Sequence, residues 1–587
     1  MKKVSYYIPL LLSGLALVSS CQKDFLDKSP KSQIEPGKFF NTEKDLEIYT
    51  NGFYAYLPGP SVYSDDWNSD NVESSNSDLV AGRLITPSSA GDAGWTWDRL
   101  RNINFFLENY NRAVAPDSVK AKYAGMARFW RASFYFDKVK RFGDVPWYST
   151  SLNESSPELY NPRTPRKQVM DSVIADIDYA IAHLASTKSI SRITKWTALA
   201  LKSRVCLYEG SYRKYHTELK LEGDATDLLK ASVAAAEALF TSGYKLYSTG
   251  NPSKDYMNLF VAESANPDEV ILAEVYDDGQ QKRHAANGVF TVSTLAMPGY
   301  TKSFIDGFLM SDGTPFSAQP GYKTKTFLEE TQNRDPRLAQ IIRTPGYMRI
   351  GTTKKLVTDF TVSLTGYQGI KFVTGTNQDA YNTNTNDLPI FRYAEVLLNY
   401  AEAKAILGDL NQANADKSIN LLRRRVGMPD LNVANIIPDP QLSDLYRPRP
   451  TTPGEINPVV LEVRRERRIE LATEGFRYQD LMRWKMGDIL ADPFYGMYVP
   501  AKGELDLDGD GKADVAIVDK KPDPANSSVQ YYIMNDKKLE DGTKGRLMVF
   551  PNLPKTFSEK KNYLFPLPLT DLLLNKNLVQ NEGWNVP

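Results

Sequence analysis

The chain has 587 residues, enough for several domains or for one large fold with insertions. Apolar side chains make up 42% of it, which supports a sizeable core, while Lys+Arg and Asp+Glu balance at 71 each. That balance leaves no overall field to attract nucleic acid or an acidic partner, so no nucleic-acid role is expected.

Lys2 and Lys3 precede an apolar run over 6–18, which ends in Val18-Ser19-Ser20-Cys21. A charged start, a short apolar stretch and small residues describe a secretory signal over 1–20. The run is too short for a membrane span. Its last four residues match a bacterial lipobox, and one of only two cysteines falls at the cleavage point. The other, Cys206, lies in a helical run over 197–209 with no histidine nearby in sequence, and reads as a buried, inert thiol. No disulfide is expected in the mature chain if Cys21 is lipidated.

Residues 59–94 are rich in Ser, Asn, Asp and Gly and lack long periodic runs, so an extended surface loop is expected. Trp67, between Asp66 and Asn68, is either a ligand platform or a pin holding the loop to the core. Trp95 stands two residues before Trp97, which opens a helix carrying Arg101, Asn104, Leu107 and Glu108. Over 125–146, Ala127, Trp130, Phe134 and Lys138 share a helical face that Gly143 and Pro146 terminate. An amphipathic helix opened by Arg163-Thr164-Pro165-Arg166, an Ala-rich partner over 192–208 and a helix over 228–240 extend this into two or more helical hairpins. A strand is expected over 269–276, followed by an irregular stretch over 279–307 that holds Phe290, Met297, Pro298 and Tyr300.

The stretch 388–429 is the most regular. Val396, Leu397, Tyr400, Ala401 and Ala405 recur at three- and four-residue steps, Gly408 suits a left-handed C-cap, and Asn411 can cap a second helix bearing Ala415, Ile419, Leu422 and Val426. Such a hairpin cannot bury its apolar face alone and needs stacked neighbours, as tetratricopeptide-type units do.

Over 462–484, Glu466, Glu470 and Glu474 lie at four-residue steps, with Arg467, Arg477 and Arg483 as candidate partners. Paired carboxylates can serve acid–base chemistry. Neighbouring arginines would instead keep these groups ionised, so an ionic lock between helices is the stronger expectation. Downstream, Asp506, Asp508, Asp510 and Asp514 alternate around glycines in the spacing of a calcium loop, with Lys512 offering its backbone carbonyl. Ile517 holds the position of the usual Glu, and Asp519 is the candidate for the missing carboxylate. A structural calcium is expected here, against an acidic turn that binds nothing. The only three histidines, His183, His216 and His284, lie in unrelated segments, and no phosphate loop, nucleophile elbow or zinc-protease helix occurs.

Several of these segments together resemble the SusD/RagB family of nutrient-binding lipoproteins. They are Asp24-Phe25-Leu26-Asp27 with Pro30, the 125–146 helix ending in Phe142-Gly143-Asp144-Val145-Pro146, and Arg392-Tyr393-Ala394-Glu395 with Asn399-Tyr400-Ala401-Glu402-Ala403. Ile419, Asn420, Arg423 and Arg425, the 462–484 motif, and the close from Tyr563 to Trp584 complete the set. The resemblance implies a mainly α fold of tetratricopeptide-type hairpins with a loop-rich part and a few short strands. It divides residues 21–587 into a helical array (98–260 and 388–485), loop-rich ligand-binding parts (59–97 and 279–387) and a calcium-like insertion (500–550). It implies a lipidated Cys21, surface export through Gln22-Lys23-Asp24, and a role as the extracellular lid of a SusC-like TonB-dependent transporter in the outer membrane. A non-catalytic oligosaccharide-binding protein follows; a peptide-binding RagB-like member, a glycan-cleaving enzyme and a helical-repeat adaptor are the alternatives. Chemistry and loop placement nominate Asp66, Trp67, Asn68, Trp95, Tyr300 and Arg392 as ligand contacts.

Overall fold

The computed structural model describes residues 39–75, 78–79 and 82–584. The expected signal over 1–20, the lipobox with Cys21 and the opening at 24–30 lie outside the described residues.

The chain is mainly helical, with 43% helix against 9% strand. Helix α1 (Glu43–Asn51) starts in a reciprocal cap: Thr42 Oγ1 accepts from Asp45 N, and the Asp45 carboxylate accepts from Thr42 N. The array proper comprises α2 (Asp98–Asn109), α3 (Asp117–Phe142), α4 (Arg166–His183), α5 (Lys195–Tyr215) and α6 (Ala225–Phe240). Helix α3 packs on α4, α4 on α5 and α5 on α6; α7 (Tyr393–Ile406) then crosses α5 and α6. Ala127, Trp130, Val396, Leu397, Tyr400 and Leu422 of the predicted periodic faces lie in a core running from Phe40 to Leu572, while Ala401, Ala405, Ala415 and Ile419 belong to a separate, smaller cluster. Cys206, on α5, is fully buried, and burial pushes its thiol up to about 12, which fits the inert role.

Gly408 adopts the expected left-handed turn (φ 74°), and the Asn411 side chain caps the next helix by accepting from Asn414 N. The expected single second helix is instead two, Gln412–Asp416 and α8 (Ile419–Arg425). The Ser418 hydroxyl donates back to Asn414 O at 2.6 Å, and Asn420 Nδ2 donates to Asp416 Oδ1 at 2.7 Å. Local side-chain bonds of this kind compete with the helix ladder. Helices α9 (Pro458–Glu470) and α10 (Arg477–Arg483) complete the array, α9 lying along α7.

The second core holds the loops and the short strands. Strands β1 (Val72–Glu73), β2 (Val270–Glu274), β3 (Gly299–Tyr300) and β4 (Leu388–Arg392) form two antiparallel pairs, β1 with β3 and β2 with β4. Strands β5 (Tyr498–Val499), β6 (Gly503–Leu505), β7 (Val515–Val518), β8 (Gln530–Ile533), β9 (Lys538–Leu539) and β10 (Gly545–Met548) form two three-stranded sheets, ordered β5-β10-β9 and β6-β7-β8.

Within the expected surface loop over 59–94, the stretch 82–94 does lie largely at the surface, but the stretch 63–74 does not. Tyr63, Asp66, Ser69, Asp70, Asn71 and Glu73 are all buried. Asp70 pairs with Arg468 at 2.8 Å and Arg477 at 2.6 Å, and Asn71 Oδ1 accepts from Arg468 Nε at 2.7 Å. Its polar residues serve as partners for arginines about four hundred residues further on, rather than for water.

Candidate functional site

Two segments that read as separate irregular stretches meet in space. Pairing of β1 with β3 sets Val72 opposite Tyr300 and Glu73 opposite Gly299. Next to that pairing, Thr301 N donates to Asn71 O at 2.9 Å and Thr301 Oγ1 donates to Asp70 O at 2.7 Å. The same hydroxyl accepts from Phe304 N and caps the short helix Lys302–Asp306.

Beside this junction opens a cleft of about 460 Å³, whose walls include Ser303, Tyr322, Gln441, Asp444, Tyr495 and Arg546. Tyr322, Phe494 and Tyr495 are half-buried, so each ring keeps part of its surface toward solvent. The Tyr495 carbonyl accepts from Lys302 N at 2.6 Å. Gly496 follows because any Cβ there would collide with the Thr365 carbonyl. Arg546, delivered by β10, lies 3.7 Å over the Tyr495 ring and forks two hydrogen bonds to Glu540. Gln441, on the helix Pro440–Leu445, donates to Ser303 O at 3.3 Å and to Ser303 Oγ at 3.4 Å. Its side-chain carbonyl is buried with no hydrogen-bond partner among the described residues. At the floor Lys302 is held by Asp306 and, at 2.8 Å, by Glu330; burial lowers its pKa, but the two carboxylates outweigh that and keep it raised. Flat ring faces beside fixed donors and acceptors suit a ligand with both C–H faces and hydroxyl edges.

Three of the six nominated contacts, Asp66, Tyr300 and Arg392, are corrected, and Trp95 lies away from the cleft. Asp66 is fully buried and accepts from Thr473 N at 2.7 Å and Asn71 Nδ2 at 3.2 Å. Trp95 is 2% exposed and packs edge-on against Phe142 and Trp97. Tyr300 is buried, stacked on Phe304 at 4.7 Å. Arg392 is buried against Glu269 (3.1 Å), Glu470 (2.7 Å) and Glu474 (2.7 Å). Asp66, Tyr300 and Arg392 cannot reach a ligand without unpacking the core, whereas Trp95 lines a separate hollow of about 330 Å³ with Trp97, Arg101 and Tyr148, which shares no residue with the cleft. Trp67 and Asn68 are partly exposed, and Trp67 packs against the second core as a pin would. The residues that do line the cleft, Tyr322, Gln441, Asp444, Tyr495 and Arg546, carried no periodic signal. Only the half-exposed aromatics among polar neighbours at 494–495 could have flagged it.

Glu466 and Glu470 of α9, with Glu474 just past its end, form the expected ionic lock, but with other partners. Glu466 and Glu470 bind Arg337, and Glu470 also binds Arg392 and, at 2.6 Å, Arg425; Glu474 binds Arg392 and, at 2.6 Å, Lys371. Arg467, Arg477 and Arg483 go instead to Asp480, Asp70 and Glu402. Burial would raise the Glu470 carboxyl, yet the surrounding guanidinium groups hold it well below the usual range. A group so held is no general acid.

The Asp-rich loop joins β6 to β7. Asp506, Asp508 and Asp514 bring carboxylate oxygens within 4.8 Å of one another, a donor set suited to a hard cation. Asp510 stands outside that group, its carboxylate accepting from Lys512 N at 2.9 Å. Asp519 is not the missing ligand: it pairs with Lys502 at 2.6 Å.

The structure is thus a helical-repeat array that carries a loop-built cleft. Residues 268–584 match the SusD family, and residues 24–207 match a second family described as starch-binding and associating with the outer membrane. The chain belongs to the SusD family. Among curated relatives, SusD-like protein P2 of Formosa agariphila is 26% identical over 535 residues, covering 84% of this chain and 93% of that one. SusD-like protein P38 of the same organism is 23% identical over 511 residues, covering 83% and 93%. A SusD-like protein from Bacteroides fragilis superposes with a TM-score of 0.68 at 23% identity, covering 95% of this chain and 100% of that one. A SusD-like carbohydrate-binding protein from the same species gives 0.67 at 21%, covering 92% and 100%. At these identities the structural likeness establishes the fold.

Proposed function

We propose that the protein captures a glycan in the cleft bounded by Ser303, Tyr322, Gln441, Tyr495 and Arg546, and delivers it uncleaved to a SusC-like TonB-dependent transporter of the outer membrane. The observation that carries this reading is the cleft itself: half-exposed aromatic rings beside Arg546, Gln441 and Asp444. Family membership, a carbohydrate-binding structural neighbour and a matched family described as starch-binding support it. Among the described residues no helix is long and apolar enough to cross a membrane. Attachment in this proposal rests on acyl chains at Cys21, each buried methylene contributing about 0.8 kcal/mol. A calcium ion at Asp506, Asp508 and Asp514 would brace the β6–β7 hairpin and take no part in binding. The non-catalytic reading is supported by the glutamates of α9, which are committed to arginines.

The test is calorimetry against a glycan panel, using a Cys21→Ser variant so that the protein stays soluble. Tyr495→Ala is expected to weaken binding by ~2 kcal/mol or more with the melting temperature unchanged, and chromatography should return the bound glycan intact. Unaltered affinity in Tyr495→Ala refutes the site; released fragments refute the non-catalytic reading; binding of peptides alone favours the RagB-like alternative.

A further inference from the structure

The cleft does not end at Phe494. A second depression of about 140 Å³ opens beyond it, lined by Glu73, Phe550, Leu553 and Lys555, and the two share Asp492, Pro493 and Phe494 as a common wall. Phe494 is therefore a ridge between two hollows of one groove, with Lys555 Nζ 3.4 Å from its ring centroid on the smaller side. Among the described residues, all but one of the cations lining the groove are already paired. Arg546 pairs with Glu540 at 2.5 Å, Arg447 with Asp444 at 3.1 Å, Arg449 with Asp492 at 2.6 Å, and Lys555 with Glu73 at 2.5 Å. Lys302 is held by Asp306 and Glu330. Lys323, exposed beside Tyr322, is the one lining cation without an ion pair among the described residues.

We infer that the ligand is an uncharged oligosaccharide that crosses Phe494 from the larger hollow into the smaller. This rests on the glycan reading of the cleft and narrows it. A uronate or sulfate would have to compete with carboxylates for Arg546, Lys302 and Lys555, or settle for Arg447 and Lys323 in solvent, where an ion pair is weak. Hydroxyl groups face no such competition, because paired carboxylates keep spare lone pairs and paired guanidinium groups keep spare N–H donors. A single sugar can fill one hollow only. A longer chain can lay one ring on Tyr495 and another past Phe494, adding contact in the second hollow.

The test uses the Cys21→Ser protein and a panel of uncharged, uronate-containing and sulfated glycans, each as a series from mono- to hexasaccharide. Affinity is expected to rise at least tenfold from the mono- to the hexasaccharide of an uncharged series, and Phe494→Ala should reduce that rise. The acidic series should bind at least tenfold more weakly than the uncharged one. Equal affinity along the uncharged series, a rise that Phe494→Ala leaves untouched, or an acidic glycan as the tightest binder overturns the inference, while sensitivity to Tyr495→Ala would leave the glycan reading standing. If no member of the panel binds, or if Tyr495→Ala changes nothing, the glycan reading falls and this inference falls with it.

Discussion

Asp66 shows how a residue that reads as ligand chemistry becomes architecture. One carboxylate oxygen accepts from Thr473 N and Asn71 Nδ2, while the other is buried with no partner among the described residues. Burial raises its pKa from 3.8 to about 6, with those hydrogen bonds and the charges of Lys371 and Arg477 offsetting part of the effect. Because the folded value lies above the unfolded one, the ionised carboxylate is a penalty. That penalty grows as pH rises from about 4 to about 6 and is full above it, reaching up to ~3 kcal/mol. Asp66→Asn should therefore raise the melting temperature at pH 8 and give little or no gain at pH 4.5. An equal gain at both pH values, or a loss at pH 8, would contradict the buried-ion account. Arg392 is the converse case, a buried cation that three carboxylates satisfy. Arg392→Ala leaves Glu470 and Glu474 short of a partner and should cost ~3–5 kcal/mol in chemical denaturation; a loss below ~1 kcal/mol would return Arg392 to the list of ligand contacts.

Elements were legible where periodicity repeats. Helices α3 and α7 lie where their apolar spacing puts them, and the ends at Gly143 and Gly408 were marked by the glycines themselves. The helix break at Ser418 was not legible, because it depends on a hydroxyl choosing a backbone carbonyl over solvent. The burial of 63–73 was not legible either. Its Asp and Asn side chains look like loop residues until Arg468 and Arg477 arrive from the far end of the chain. Arg546, which reaches the cleft, comes from an insertion whose sequence advertised only its acidic loop. That loop carries a prediction of its own. The Asp506 carboxylate accepts from Gly509 N and Gly511 N, so the turn is shaped without an ion. If Asp506, Asp508 and Asp514 hold calcium with a dissociation constant of ~10⁻⁴–10⁻³ M, millimolar calcium should slow hydrogen exchange over 503–519, and Asp508→Ala should abolish the effect. Calcium-independent exchange in the unaltered protein would leave an acidic turn that binds nothing.

On the scale of the whole molecule, α9 is the element through which distant segments are tied. Its Glu466 and Glu470 take Arg337 from the middle of the chain, and Glu470 takes Arg392 and Arg425 from the repeat hairpin. Its Arg468 takes Asp70 from the early segment, and its Arg467 takes Asp480 from α10. Removing water from so many charges at once stabilises only while every partner stays ionised. Burial would raise the carboxyl groups of Asp70, Glu470, Glu474 and Asp480, but the arginines, with Lys371 at Glu474, outweigh it and hold all four below their ordinary values, Asp70 at about 2. For a depressed carboxyl the stabilisation is present above its unfolded value, 4.5 for Glu and 3.8 for Asp, and is lost as pH falls toward the folded value. Burial raises other carboxyl groups, Asp65, Asp66, Glu73 and Glu330 among them, and these work in the opposite sense, but none of them belongs to the lock on α9. Acidification from pH 5 to pH 2 should therefore unfold the helical array and the early segment together, because the same helix clamps both. Circular dichroism during acid titration, combined with pulsed hydrogen exchange over 59–75, 335–341, 388–425 and 458–484, should show one shared midpoint below pH 4.5. If the repeat hairpin at 388–425 kept its protection after 59–75 had lost its own, the two would be separate cooperative units, and the ionic lock on α9 would be a local feature of the hairpin rather than the joint of the whole fold.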